Sequence, residues 1–79
     1  MKIFLVVDER CYEFVNERNL TAFANFEDAV KEFNKIKERF NAIRDKYFIE
    51  YMDGITIQAH STENSRDYID ACIMEMEVK

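Results

Sequence analysis

Residues 25–46, NFEDAVKEFNKIKERFNAIRDK, carry the clearest structural signal in this 79-residue chain. Apolar side chains recur here at spacings of three and four residues, the period of one face of an α-helix. The side chains of this apolar stripe are Ala29, Phe33, Ile36, Phe40, Ile43 and Tyr47. Asn25 is a favoured N-cap residue, and Glu27 and Asp28 lie in the first turn, where acidic groups favour the helix dipole. The stretch predicts one long amphipathic helix from Asn25 to about Lys46.

The stripe allows two interpretations. In the first, it packs the helix onto a sheet and belongs to the core. In the second, the helix is too long for the sheet: its 22 residues would span about 33 Å, whereas a six-residue strand covers only about 20 Å. A helix that extends past the sheet could pair with a second copy of the chain or with another protein.

The residues before the helix predict short strands. The apolar run 2–7 is rich in β-branched side chains, as in a strand that is covered on both faces. The following segments predict, in order, a turn at 8–10, a second strand around Tyr12 and Phe14, a polar break at 16–19, and either a short third strand or the approach to the helix at 20–24.

The residues after the helix predict a hairpin and a final strand. Asp53-Gly54 separates two β-rich runs, which is the pattern of a type I′ turn with positive φ at both central residues. In the second arm, Ile55, Ile57 and Ala59 alternate with polar side chains. A polar loop at 61–67 then leads to a long strand at 68–78. In that strand the side chains of one face are Cys72, Met74, Met76 and Val78, and those of the other are Ile73, Glu75 and Glu77.

These elements predict an α+β fold, a mostly antiparallel sheet of four to six strands with one long amphipathic helix packed across it, in the order β-β-(β)-α-β-β-β. We expect residues 1–79 to form a single domain. The first residues do not resemble a secretory signal, and no apolar run approaches the roughly 20 residues that span a bilayer. We therefore expect a cytoplasmic protein without membrane contact. In such a protein Cys11 and Cys72 are more readily explained as two free, partly buried thiols than as a disulfide, which adjacent strands would also permit.

The charge of the chain is unevenly distributed. Its formal net charge is −5, yet residues 25–46 hold six basic and five acidic side chains, so the rest of the chain carries −6. Such acids either keep a small sheet protein soluble or form a surface that attracts basic partners. The second interpretation predicts a partner-binding set formed by Glu50, Asp53, Glu63, Asp67, Asp70, Glu75 and Glu77. It also disfavours direct contact with nucleic acid, which depends on basic side chains.

Motifs for catalysis are missing from the sequence. One glycine cannot make a glycine-rich phosphate loop, and the single histidine, His60, has only its strand neighbour Ser61 close in sequence. Glu75 and Glu77 could share a strand face, but no third ligand pattern accompanies them. We therefore predict no catalytic residue, no metal site and no cofactor.

In length, acidity and lack of catalytic motifs, the whole chain resembles the small phage-encoded inhibitors of bacterial defence, among which the anti-CRISPR proteins are best known. Several proteins of that type occupy the basic channel in which a nuclease complex would hold DNA. The resemblance implies a non-enzymatic, stoichiometric inhibitor that binds a basic protein or nucleoprotein complex in the host cytosol. The alternative is a small structural or regulatory adaptor that self-associates, as a homodimer for example, through the helix stripe or a sheet edge.

Overall fold

A computed structural model of the chain describes residues 1–13, 15–64 and 66–78. It has one α-helix and one antiparallel sheet of five strands in the order β2-β1-β5-β4-β3, which confirms the predicted α+β fold. The elements are β1 (Lys2–Tyr12), β2 (Val15–Phe23), α1 (Phe26–Asn41), a 3₁₀ turn (Arg44–Lys46), β3 (Tyr47–Met52), β4 (Thr56–Ser61) and β5 (Tyr68–Glu77).

Helix α1 begins where the sequence predicts. The Asn25 side chain accepts a hydrogen bond of 3.1 Å from the backbone N–H of Asp28, and this satisfies one of the free donors of the first turn. The stripe residues of α1 are buried against the sheet, where the core side chains are Val6, Ile57, Ala59, Ile69, Ala71 and Ile73. The packing interpretation of the stripe is therefore confirmed.

The helix ends earlier than predicted, at Asn41 and not at about Lys46. The backbone N–H groups of Ile43 and Lys46 donate to carbonyls three residues back, at 2.9 and 3.0 Å, which tightens the chain into a 3₁₀ turn. Tyr47 is already in β3, and its ring packs 5.9 Å from that of Phe40. The 16-residue helix is about 24 Å long and matches the strands, so the predicted extension past the sheet does not occur.

The first two strands form one long hairpin, which corrects the shorter strands predicted for this region. Residues 8–10 lie inside β1 and are not a turn, while 16–19 and 20–23 belong to one continuous strand, β2. Tyr12 ends β1, and Phe14, also predicted in a strand, lies outside the described residues. The charged side chains of β2 are tolerated in a strand because β2 is an exposed edge strand. Asp8 of β1 is only 8% exposed, but it has cationic partners.

Asp8 connects β1 to the helix. Its carboxylate lies 3.3 Å from Arg10 Nε on the same strand and 3.6 Å from Arg39 Nη2 on α1. A buried carboxylate requires such partners, since an unpaired charge inside a protein is strongly destabilising. Polar residues in the middle of a strand can therefore mark a helix contact and not a turn.

The hairpin between β3 and β4 is confirmed, but its turn is not of type I′. The connection has three residues, Asp53 to Ile55, and Gly54 does not have a positive φ. Asp53 holds the turn instead: its Oδ1 accepts from the Ile55 N–H at 2.9 Å and its Oδ2 from the Tyr51 hydroxyl at 2.6 Å. The Tyr51 hydrogen bond, followed by that from Ile55, lowers the pKa of Asp53 below its ordinary value of 3.8.

Strand β5 alternates as predicted, but its buried face is the one that carries Ile73. Ile69, Ala71 and Ile73 lie beneath the helix. Glu75 and Glu77 continue the same face and are exposed beyond the covered region. The apolar set that contains Cys72, Met74 and Met76 therefore points to the opposite side of the sheet.

We expect truncation of the stripe to be strongly destabilising. Phe33 is fully buried, so Phe33→Ala should lower the free energy of unfolding by about 3–5 kcal/mol, and Ile36→Val by about 1 kcal/mol. Lys35→Ala is the control, because the Lys35 side chain is 73% exposed; its effect should stay within about 0.5 kcal/mol. Urea unfolding followed by circular dichroism measures all three. Equal effects for Ile36→Val and Lys35→Ala would contradict this packing.

The Asp53 turn should make stability depend on pH. A lowered pKa in the folded state contributes stability above pH 3.8, and this contribution is lost as the pH falls through the folded value. Tyr51→Phe removes the main cause, so the pKa of Asp53 should rise toward 3.8 and the loss of stability on acidification should become smaller. NMR titration of the Asp53 carboxyl and urea midpoints at neutral and acid pH test this. An unchanged Asp53 pKa in Tyr51→Phe would contradict it.

Candidate interaction surface

The sheet has one face that no helix covers. Helix α1 packs on one side only, and side chains of successive strand residues point to opposite sides. We call the uncovered side the open face. The strand register aligns its side chains in rows across β2, β1 and β5: Leu20 with Val7 and Cys72, Ala22 with Leu5 and Met74, and Ile3 with Met76.

One half of the open face is apolar. We define the apolar patch as Ile3, Leu5, Leu20, Met74 and Met76; Val7, in the row of Leu20, is only 6% exposed. Leu20 is 56% exposed, Met74 47% and Met76 43%. Scattered apolar side chains are normal on a protein surface, but contiguous ones usually mark a contact with another molecule.

The other half of the open face is acidic. We define the acidic strip as Glu9 of β1, Asp70 of β5 and Glu50 of β3. Glu9 and Asp70 are direct cross-strand partners, so their Cβ atoms are only about 5 Å apart and their charges repel. Glu50 and Asp70 share a shallow depression of about 250 Å³ with Gln58, His60 and Tyr68.

Few basic groups compensate the acidic strip. Arg18 lies opposite Glu9 on β2, and the Tyr68 hydroxyl donates to Glu9 at 3.2 Å. Partial burial, followed by the nearby charge of Glu9, raises the pKa of Tyr68, which keeps this donor protonated at neutral pH. Glu50 Oε1 lies 2.9 Å from His60 Nδ1. The strip can therefore accept hydrogen bonds and cations from a partner.

The seven predicted partner-binding acids do not lie together. Glu50 and Asp70 are in the acidic strip, whereas Glu63 and Asp67 are in the loop between β4 and β5. Asp53 lies in the β3–β4 turn near the other end of the sheet. Glu75 and Glu77 also lie toward that end, on the helix side, where they pair with Lys2 at 3.3 Å and with the terminal amine at 3.2 Å.

Two of these distant acids have structural roles. Asp53 holds its own turn, and Asp67 Oδ1 accepts from the Glu13 N–H at 3.2 Å, which connects the β4–β5 loop to the end of the first hairpin. The backbone of Asp67 also bonds to Ser61 and Asn64. Their carboxylates are thus partly occupied within the chain.

Sequence reasoning missed Glu9 and the apolar patch. The sequence pattern predicts a turn at Glu9 and, for residues 2–7, a strand covered on both faces. The signal that could have found them is parity: if β1 continues through residue 9, then Ile3, Leu5, Val7 and Glu9 must point to one side.

The two cysteines are free, as expected. Cys72 pairs with Val7 across the strands and Cys11 with Tyr68, so the two thiols are separated by about 13 Å along β1, beyond the reach of a disulfide. Burial, followed by the charge of Asp70, raises the pKa of Cys72. This thiol is therefore a poor nucleophile at neutral pH.

A cavity of about 450 Å³ opens beside the C-terminal end of the helix. Arg10, Tyr12, Val15, Ile43 and Tyr47 contribute to its mostly apolar wall. The Nη2 atom of Arg10 is buried there without a hydrogen-bond partner in the described part of the chain. Partial burial, followed by the charge of Asp67, raises the pKa of Tyr47.

Metal-ligand clusters and membrane-spanning helices are both absent from the described residues. Across 1–13, 15–64 and 66–78, no three His, Cys, Asp or Glu side chains are grouped to hold a metal ion. Within the same ranges, no helix is long and apolar enough to cross a membrane.

Comparisons with known proteins leave the open face to be interpreted from its own chemistry. No family model matches the chain, and no curated protein or solved structure matches it significantly.

Proposed function

We propose that the chain is a non-enzymatic protein-binding module and that the open face is its binding surface. The observation that carries this proposal is the acidic strip, in which Glu9 and Asp70 repel each other directly beside the apolar patch. A basic side chain placed between the two carboxylates would relieve the repulsion, while nearby apolar side chains exclude water from the contact.

The chemistry of the strip favours a basic partner. Outside residues 25–46 the chain carries −6, and on the open face the strip holds three carboxylates with only Arg18 as a fixed positive charge among the described strand residues. The basic surface of such a partner is typical of a site that binds nucleic acid. We therefore propose a stoichiometric inhibitor that occupies a basic, nucleic-acid-binding site, as several anti-CRISPR proteins do.

Self-association as an adaptor remains the second candidate, through a sheet edge. The helix stripe is buried in the core and unavailable in the folded chain. Strand β2, by contrast, is a nine-residue edge strand with almost every residue exposed. Its outer backbone groups could pair with another strand.

Charge reversal on the two faces of the sheet tests the inhibitor proposal. The variant Glu9→Lys/Asp70→Lys alters the acidic strip, and Glu75→Lys/Glu77→Lys is the matched control, with the same charge change on the helix side. The partner is first captured from nuclease-treated extract and purified. Its affinity for each variant is then measured at low and high salt and in competition with DNA and RNA.

We expect the strip variant to weaken binding by about tenfold or more and the control by no more than about twofold. Binding of the unaltered chain should weaken at high salt and compete with nucleic acid. Circular dichroism verifies that both variants fold. Equal affinity of the two variants would contradict the acidic strip as the contact, and a lack of competition would contradict the inhibitor mechanism.

A further inference from the structure

We propose that the cavity beside the C-terminal end of the helix binds a small carboxylate with an aromatic body. We call it the Arg10 cavity; Tyr12, Val15, Ile43 and Tyr47 also contribute to its wall. It lies on the helix side of the sheet, because Arg10 pairs across the strands with a core residue of β5. The site is therefore separate from the open face and from the proposed basic partner.

Arg10 has a buried donor that no group in the described chain satisfies. Its Nε atom lies 3.3 Å from Asp8 Oδ1, whereas its Nη2 atom is buried and has no hydrogen-bond partner among residues 1–13, 15–64 and 66–78. An unsatisfied N–H group inside a protein is destabilising, so a ligand that supplies an acceptor gains by satisfying it. The strongest acceptor for a guanidinium is a carboxylate, which forms charge-assisted hydrogen bonds.

The acids near Arg10 leave part of its charge available. Asp8 is shared, because its carboxylate also lies 3.6 Å from Arg39 Nη2, so these three side chains together carry one positive charge. Glu17 is the cross-strand neighbour of Arg10 and lines the cavity, but it is exposed, and no ion pair joins the two within the part of the chain that is described. Water screens an exposed carboxylate more than it screens a partly buried guanidinium. The cavity therefore favours an anion.

The size and the wall of the cavity suit an aromatic body. Its volume of about 450 Å³ lies within the range of about 300–1,000 Å³ of small-molecule sites. Since a water molecule takes up about 30 Å³, this volume corresponds to a ligand of about 10–15 non-hydrogen atoms. Val15 and Ile43 supply aliphatic contacts, and Tyr12 and Tyr47 supply rings against which another ring packs favourably. Water alone fits this wall poorly, because an ordered water needs about two to four polar partners.

Tyr47 supplies a second donor to the cavity. Burial, followed by the charge of Asp67, raises the pKa of Tyr47, and the charge of Arg10 opposes this rise. The Tyr47 hydroxyl therefore stays protonated at neutral pH and can donate to an anion. Asp67 is engaged elsewhere, since its Oδ1 accepts from the Glu13 N–H at 3.2 Å.

Titration with 3-phenylpropionate, followed in proton–nitrogen NMR spectra, tests the site. This probe matches the cavity in size and carries one carboxylate. We expect a dissociation constant of about 1 mM or below, with the largest shifts at the backbone amides of Tyr12, Val15 and Tyr47. The amide of the same acid has the same shape without the charge and should bind about tenfold more weakly. Acetate lacks the apolar body and should bind more weakly still.

Two pairs of variants test the residues of the cavity. Arg10→Gln should weaken binding of the probe by about tenfold or more, whereas Arg18→Gln, which removes an arginine of the open face, should change it by no more than about twofold. Val15 is exposed and lines the cavity, so Val15→Trp should obstruct the site and also weaken binding by about tenfold or more. Leu20→Trp is its control, at a similarly exposed position on the opposite face of β2.

Circular dichroism verifies that each variant folds, and Val15→Trp keeps the test decisive if Arg10→Gln does not. An absence of shifts with up to about 10 mM probe would overturn the proposal. Equal affinity for the acid and its amide would also overturn it, as would shifts confined to the open face. Glu9→Lys/Asp70→Lys should bind the probe as the unaltered chain does, so this proposal and the proposed function can fail separately.

Discussion

The structure depends on the packing of one helix stripe against one face of the sheet. Phe33, Phe40 and Ile36 fill the space above β1, β5 and β4, and Ala29 lets the first turn approach closely. A helix is about 10 Å wide, whereas five strands span about 20 Å, so this helix covers the central strands and leaves the edge strands largely to solvent. The described residues contain only one helix, so no helix covers the opposite face of these strands.

This constraint explains why β1 and β5 serve two purposes. Each strand places one set of side chains in the core and the alternate set on the open face. Val6 and Ile73 are buried beneath the helix, while the neighbouring Leu5 and Met74 face outward. Asp8 fits the same logic, because its partner Arg39 comes from the helix. The apolar run 2–7 of β1 places apolar side chains on both faces of the sheet, but the helix covers only one of these faces.

The open face combines an apolar patch with an acidic strip. An apolar contact gains from the exclusion of water, whereas the carboxylates of the acidic strip act best at a margin where a charged partner can approach. On the two strands that they share, β1 and β5, the patch and the strip lie in different rows.

By itself, the sequence determined the helix start at Asn25, the stripe, the β3–β4 hairpin, the alternation of β5 and the α+β class, because these follow from local periodicity and capping. It misplaced the helix end and divided the first hairpin, since Asp8 owes its place in a strand to Arg39, which is distant in sequence. Only the tertiary structure decided which face of each strand is covered. Alternation separates two faces without saying which one meets the helix. The β1–β5 register brought Glu9 and Asp70 together, and the position of the helix left them on the open face and Glu75 and Glu77 on the covered side.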